Sequence, residues 1–403
     1  MAEPDWSQLP TELLQLISKK LNSEFYLLRF RSVCSTWRSS IPNFRPNHFL
    51  PLKLPKPFGT DGNNNDSICY LVKHNIFLIK PTTIPIPIQH QPRKILQPLL
   101  IRIGPNVKGK IQLWHPLDLD QRLPFHFPDE VVVFDFNHIS IVDLGQVFVL
   151  QPSDSFQNDR YDKVVAATYP GEQQPHIVTY DYLRDPCMFR PGDDGWMNIP
   201  NVSLSECYFG DICNFKGRTC VVDRVEEMAE TVMVGPDLSV DLVEAELLCP
   251  GQLRLCVVES ELLLVDTNSG DYDAWIDVYR LDEKKKKWVE LSNLGDRVLF
   301  LGKKCSFSAS ASDLGFAKGN CVINMNVSDL GCGICDLNDE NKMLPLSDYP
   351  DYFNLLAASG LYGEELHWEN GFDEDEESED EDEECEDEED GESEDEEDGE
   401  EEK

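Results

Sequence analysis

Two short segments of the chain combine residue types and spacings that could do chemistry. Cys332-Gly333-Ile334-Cys335 has the spacing of a metal-ligand or redox pair. A structural zinc site needs four ligands, and no second Cys or His pair accompanies this one. A redox pair belongs in a thioredoxin-like βαβ context, which the flanking sequence lacks. The segment is therefore read as a Gly-rich turn between strands. Lys284-Lys285-Lys286-Lys287 could be a nuclear import signal or the solvated tip of a hairpin between Val278-Tyr279-Arg280-Leu281 and Trp288-Val289-Glu290-Leu291. No Gly-rich phosphate loop opens a helix, and neither a Gly-x-Ser-x-Gly elbow nor a His-Glu-x-x-His pair occurs. The eight histidines are dispersed, and His126 and His138 read as strand residues rather than general bases. The expectation is a non-catalytic protein with no catalytic residue, metal or cofactor.

The elements behind these segments follow from composition. The chain has 403 residues, 41% of them hydrophobic, enough for one small module and one larger domain. A body of roughly 300 residues can bury about three quarters of its unfolded surface. The net charge of −40 is unevenly spread: Asp373 to Lys403 hold 25 Asp or Glu and one Lys, which leaves −16 on the rest. Such acidity argues against nucleic acid as a partner, since duplex binding needs clustered Lys and Arg. No apolar run approaches the ~18 residues of a membrane span. The start, Met1-Ala2-Glu3-Pro4-Asp5, is acidic and lacks the apolar region of a secretory signal. Together with 13 scattered cysteines this leads to an expected reducing compartment, nucleus or cytoplasm, with free thiols and with unglycosylated sequons at Asn65, Asn201 and Asn326.

Three regions separate along the chain: 1–45, 46–365 and 366–403. In the first, Leu13, Leu14, Ile17 and Leu21 fall at helical spacing, with Pro10 suited to a first turn. Asn22-Ser23-Glu24 would break and cap a second helix bearing Leu27, Leu28 and Phe30. Val33 and Trp37 would lie on a third, ended by Pro42. Three short helices in about 40 residues cannot build a core alone, so their apolar surface needs a partner. The second region reads as short strands between turn formers: Val131–Phe134, Lys163–Ala167, His176–Tyr180 and Leu262–Val265, with Pro-rich Thr83–Pro87 extended or a loop. Strands ending in Asp143, Asp223 and Asp266, and tryptophans at 114, 196 and 288, recur at one or two units of ~40–50 residues, the period of a four-stranded propeller blade. The expected body is a six- or seven-bladed β-propeller, with a β-sandwich pair as the rival. The third region is too charged and too poor in apolar residues to fold by itself, so a disordered acidic tail is expected.

Leu9-Pro10-Thr11-Glu12-Leu13-Leu14-Gln15-Leu16-Ile17, followed by Leu28-Arg29-Phe30-Arg31-Ser32-Val33-Cys34-Ser35-Thr36-Trp37-Arg38, resembles an F-box over about 38 residues. The resemblance implies docking onto a Skp-type adaptor, and through it onto cullin and a RING protein. It assigns Leu9, Pro10, Leu13, Leu14, Ile17, Leu28, Val33, Cys34 and Trp37 to lining or supporting that contact. Further on, Trp288–Leu291, Leu294–Gly302, Ser306-Phe307-Ser308 and Gly319-Asn320-Cys321, with a looser match at Phe215-Lys216-Gly217-Arg218, resemble a plant-specific domain of unknown function that follows F-boxes. That domain is thought to be propeller-like. Where its pattern has an aromatic strand after Ile323, this chain reads Asn324-Met325-Asn326.

The function these resemblances imply is bivalent binding. The helices would hold the adaptor, and the β domain an unknown target protein for ubiquitination on other subunits. Two alternatives stay open: a non-degradative F-box scaffold or regulator, and an escort for basic proteins through the acidic tail.

Overall fold

In the computed structural model, described residues run from 6 to 357 except 22–23, 42–49, 58–67, 82–97, 107, 118–138, 153–162, 170–173, 182–183, 201, 203–209, 226, 270–273, 303, 317, 328–330 and 339–340. Outside them lie Val131–Phe134, Thr83–Pro87, His126, His138, Ser23, Pro42, the sequons at Asn65 and Asn201, and the acidic tail. Three helices come first: α1 (Thr11–Ser18), α2 (Glu24–Ser32) and α3 (Ser35–Ser39). Pro10 sits one residue before α1, at its cap, rather than in its first turn. Val33 lies in the turn after α2 and not, as expected, on the helix that carries Trp37: Cys34 is extended, with φ −160°, and breaks the two apart.

Strands β1 to β22 then form five antiparallel-rich sheets. Sheet 1 joins β1 (Leu52–Pro55), β2 (Ile68–Pro81), β3 (Leu99–Pro105) and β4 (Ile111–Trp114), and β5 (Ile139–Pro152) pairs along the free side of β2. Sheets 2, 3 and 4 are four-stranded meanders. Sheet 2 holds β6 (Lys163–Ala167), β7 (His176–Asp181), β8 (Arg184–Phe189) and β9 (Met197–Asn198). Sheet 3 holds β10 (Asp211–Phe215), β11 (Arg218–Val225), β12 (Met228–Val234) and β13 (Val240–Leu248). Sheet 4 holds β14 (Gln252–Val258), β15 (Glu261–Ser269), β16 (Ala274–Asp282) and β17 (Lys287–Glu290). Sheet 5 runs in the order β19 (Ser306–Ser310), β18 (Arg297–Leu301), β20 (Cys321–Val327), β21 (Gly331–Asp336), β22 (Met343–Pro345), with β18 and β20 parallel across the short α4 (Ala311–Leu314). The described chain ends in α5 (Pro350–Ala357).

The sheets close into a ring. β5, β6, β10, β14 and β19 each touch the next, and β19 touches β5. Every seam has its own apolar cluster. Leu71 and Ile177 lie between sheets 1 and 2, Val178 and Ile212 between 2 and 3, Cys213 and Leu255 between 3 and 4, and Val265 and Leu299 between 4 and 5. Leu78 and Leu100 meet Phe300 and Ile323 at the closing seam, with Leu355 and Leu356 of α5. The described residues thus form a mainly β, propeller-like ring of five sheets, fewer than the six or seven expected. The period itself holds from β6 onward, since sheets 2 to 5 begin at Lys163, Asp211, Gln252 and Arg297, at the ~40–50-residue spacing of a blade. The described residues between the helices and β6 form one sheet, in which β2 and β5 are each 14 residues long and pair with one another along almost their whole length.

The recurring tryptophans mark outer strands. Trp114 ends β4, Trp196 precedes β9 and Trp288 lies in β17. Two of them tie their sheet to the one before it: Trp196 Nε1 donates to the Pro55 carbonyl at 2.7 Å, and Trp288 Nε1 to Thr231 Oγ1 at 3.0 Å. Lys284–Lys286 form the exposed tip between β16 and β17, where Asp282 Oδ1 accepts from the backbone of Lys284 and Lys285 at 3.1 Å. Phe215-Lys216-Gly217-Arg218 is a two-residue hairpin with φ 51° and 78° at its centre, the twist that suits antiparallel strands. Cys332-Gly333-Ile334-Cys335 is not a turn: it lies within β21, where Gly333, Ile334 and Cys335 pair with Asn324, Ile323 and Val322 of β20 before a bulge shifts the register. Despite its polar reading, Asn324-Met325-Asn326 remains strand in β20, with Asn324 buried.

Candidate functional site

The three N-terminal helices leave an apolar surface uncovered. On α1 the side chains divide by periodicity. Leu14 is 0% exposed and anchors the unit, whereas Leu13, Leu16 and Ile17, at i, i+3 and i+4, form a stripe with 47%, 59% and 39% of their surface in solvent. Leu28, Val33 and Trp6 are exposed as well, at 47%, 56% and 63%. Pro10 is exposed too, while Leu9, Cys34 and Trp37 are half-buried. Six large exposed apolar side chains in so small a unit exceed what scattered surface leucines would give, and exposed apolar surface of this extent marks an interaction surface.

The unit is held in shape by contacts among its own residues. The Phe30 and Trp37 rings lie 4.6 Å apart, and Trp37 Nε1 donates to the Trp6 carbonyl at 3.1 Å. Arg31 Nη1 donates to the carbonyls of Arg38 at 3.0 Å and Ile41 at 2.5 Å, which fastens α2 to the end of α3. Of the nine residues assigned by the resemblance, the structure puts Pro10, Leu13, Ile17, Leu28 and Val33 on the surface and Leu14 in the interior. It adds Leu16 and Trp6. Leu16 was readable from its i+3 spacing to Leu13; Trp6 carried no signal, because it precedes the motif.

A different side of the helices meets the ring. Phe25 packs on Phe77 with ring centroids 5.2 Å apart and joins the cluster of Phe77, Leu99 and Ile101. The Asp143 N–H donates to the Tyr26 hydroxyl at 3.0 Å, and Arg29 Nη1 to the Ile141 carbonyl at 3.4 Å. The helical unit is therefore seated on sheet 1, with its apolar stripe still open.

Within the ring, the inner strands enclose a cavity of about 330 Å³ whose walls include Gln146, Phe148, Lys163, Asn214 and Ser306. The chemistry on offer there is polar contact. Lys163 Nζ is held by Asp211 Oδ2 at 2.9 Å, and that carboxylate also accepts from the Leu255 and Ile212 N–H groups at 2.7 and 2.8 Å. Four buried thiols elsewhere in the ring are poor nucleophiles. Burial pushes Cys187, Cys256 and Cys335 up to about 12 and Cys321 up to about 11, so they stay protonated at neutral pH. Among the described residues no three His, Cys, Asp or Glu side chains converge as metal ligands.

Comparison with known proteins gives the same two parts. The F-box domain family matches residues 6–49, and the family described as KIB1-4 beta-propeller matches residues 74–344. F-box protein SKIP23 of Arabidopsis thaliana is 30% identical, across 87% of this chain and 94% of that protein. Putative F-box/kelch-repeat protein At5g24040 of the same plant is 26% identical, across 80% and 87%, and F-box protein At2g17036 is 28% identical, across 77% and 80%.

Proposed function

The chain belongs to the F-box proteins with a KIB1-4 β-propeller, and from that premise we propose that it is a substrate-recognition subunit of a Skp–cullin–F-box ubiquitin ligase. The observation that carries this reading is the uncovered stripe of Leu13, Leu16 and Ile17. An adaptor of complementary apolar shape supplies the core that the three helices lack. Leu13, Ile17, Leu28, Val33 and Pro10 are the contact residues, with Leu9, Cys34 and Trp37 at the margin and Leu14 as internal support.

The ring serves as the other arm. Because Phe25, Tyr26 and Arg29 seat the helices directly on sheet 1, a protein bound to the ring is presented at a fixed distance from the adaptor. Such tethering raises the effective concentration of target lysines near the ubiquitin-carrying enzyme. Bond making belongs to other subunits. The ten cysteines whose side chains are described are all free thiols, which suits the nucleus or the cytoplasm.

The test is co-purification of the Leu13→Ala/Ile17→Ala variant with a Skp-type adaptor. Both side chains are substantially exposed, so the variant should fold as wild type yet lose the adaptor. Retained co-purification would refute the reading. In a reconstituted ligase, adaptor binding without ubiquitin transfer to any ring-bound protein would instead point to a non-degradative scaffold.

A further inference from the structure

The outer strands of the ring are unequal. β4, β9, β17 and β22 hold four, two, four and three residues, short edges with little backbone to offer. β13 holds nine. Among the described residues it pairs only with β12, so it ends its sheet. Its exposed side chains include Leu242 at 58% and Leu248 at 59%. The register carries that apolar surface inward: Leu248 lies opposite Met228, and Met228 opposite Val225, itself 39% exposed. A long edge with exposed leucines is a template for one more strand.

Charge decides what kind of strand. From Val225 to Leu248 the sequence has seven carboxylates and no Lys or Arg. Glu227 and Glu230 are exposed beside the edge strand. Asp241, at its start, is already engaged by Arg218 at 2.7 Å. A second copy pairing along this edge would set carboxylates against carboxylates, and like charges opposite one another destabilise a ladder. The complementary occupant is an extended segment in which Lys or Arg alternates with aliphatic residues.

Resting on the substrate-receptor reading, we propose that β13 is the docking edge for the recruited protein, which adds an extended basic–apolar segment as a fifth strand of sheet 3. Backbone N–H and C=O groups supply the affinity. Leu242 and Leu248 take the aliphatic side chains, and the carboxylates select against acidic segments.

The probe is a fluorescein-labelled peptide of roughly eight residues alternating Lys and Val, titrated by anisotropy into the full chain in complex with its adaptor. Its twin, N-methylated at alternate residues, keeps every charge but cannot pair, so the acidic C-terminal segment attracts both alike. The parent should bind at least about tenfold more tightly than the twin, equivalent to ~1.4 kcal/mol. Leu242→Lys/Leu248→Lys should bring the parent down to the level of the twin. Equal binding of parent and twin, or equal binding of a Glu–Val peptide, would overturn the proposal. So would a concentration-dependent dimer, seen by light scattering, that the double variant abolishes, since the edge would then serve a second copy. Adaptor co-purification on the same samples separates the two readings: its loss in the wild type contradicts the receptor function, whereas its retention without peptide discrimination contradicts only the role of β13.

Discussion

Replacing Asp211 by Ala should loosen the ring at its centre. This carboxylate joins three innermost strands, through Lys163 Nζ of β6 at 2.9 Å, its own strand β10, and the Leu255 N–H of β14 at 2.7 Å. The side chains of Lys163 and Asp211 are only 10% and 2% exposed. Removing the carboxylate leaves a buried ammonium without its counter-charge, which typically costs ~3–5 kcal/mol. It also leaves the Leu255 N–H unpaired, which costs about 1–3 kcal/mol more. The two overlap, so a total near 4–6 kcal/mol is expected, or a melting temperature lower by about 10 °C. Urea unfolding followed by tryptophan fluorescence measures it. The double variant Lys163→Met/Asp211→Ala should recover much of the loss, because an apolar side chain in place of the ammonium needs no counter-charge. A cost below about 1 kcal/mol for Asp211→Ala, or strict additivity in the double-mutant cycle, would refute the idea that this pair ties the inner strands together.

Two further outcomes follow from burial. Leu14→Ala removes a fully buried side chain from α1 and should destabilise the helical unit by ~2–5 kcal/mol, seen as faster hydrogen exchange in α1 and α3, whereas Leu13→Ala should leave that exchange unchanged. Asp266, buried on β15 with Oδ1 accepting the Gly251 N–H at 2.9 Å, is raised to about 6, chiefly by desolvation. The folded state then binds a proton that the unfolded state has released, so stability should fall as pH rises from about 4 to about 6 and stay lower above it. Asp266→Asn should flatten that dependence and raise stability at pH 7 by about 1–3 kcal/mol, measured as urea midpoints at pH 5 and pH 8.

Much of this architecture was legible in local chemistry. Lys284–Lys287 read as a hairpin tip because a charge run between two aliphatic–aromatic strands has nowhere to go but solvent. The tryptophan spacing reported outer strands, and Trp196 and Trp288 each reach the sheet before their own. The number of sheets was not legible, since pairing of β2 with β5 joins residues far apart in sequence and leaves no periodic trace. Closure was hidden for the same reason. It rests on packing of β19 against β5 and on the Lys80–Asp313 ion pair at 2.7 Å, neither of which has a sequence pattern. In the helices, spacing alone could not tell Leu14, which faces inward, from Leu13, which faces out. That distinction depends on where α3 packs. Cys332 and Cys335 misled in the other direction, since glycine beside cysteine suggested a turn where tertiary pairing imposed a strand.

The central claim is that the open helical stripe, and not the ring, is the adaptor contact. Hydrogen exchange of the full chain, alone and saturated with a Skp-type adaptor, tests it most directly. New protection should be confined to α1, α2 and α3, with the strands of the ring unchanged. Protection of ring strands with none in the helices would contradict it.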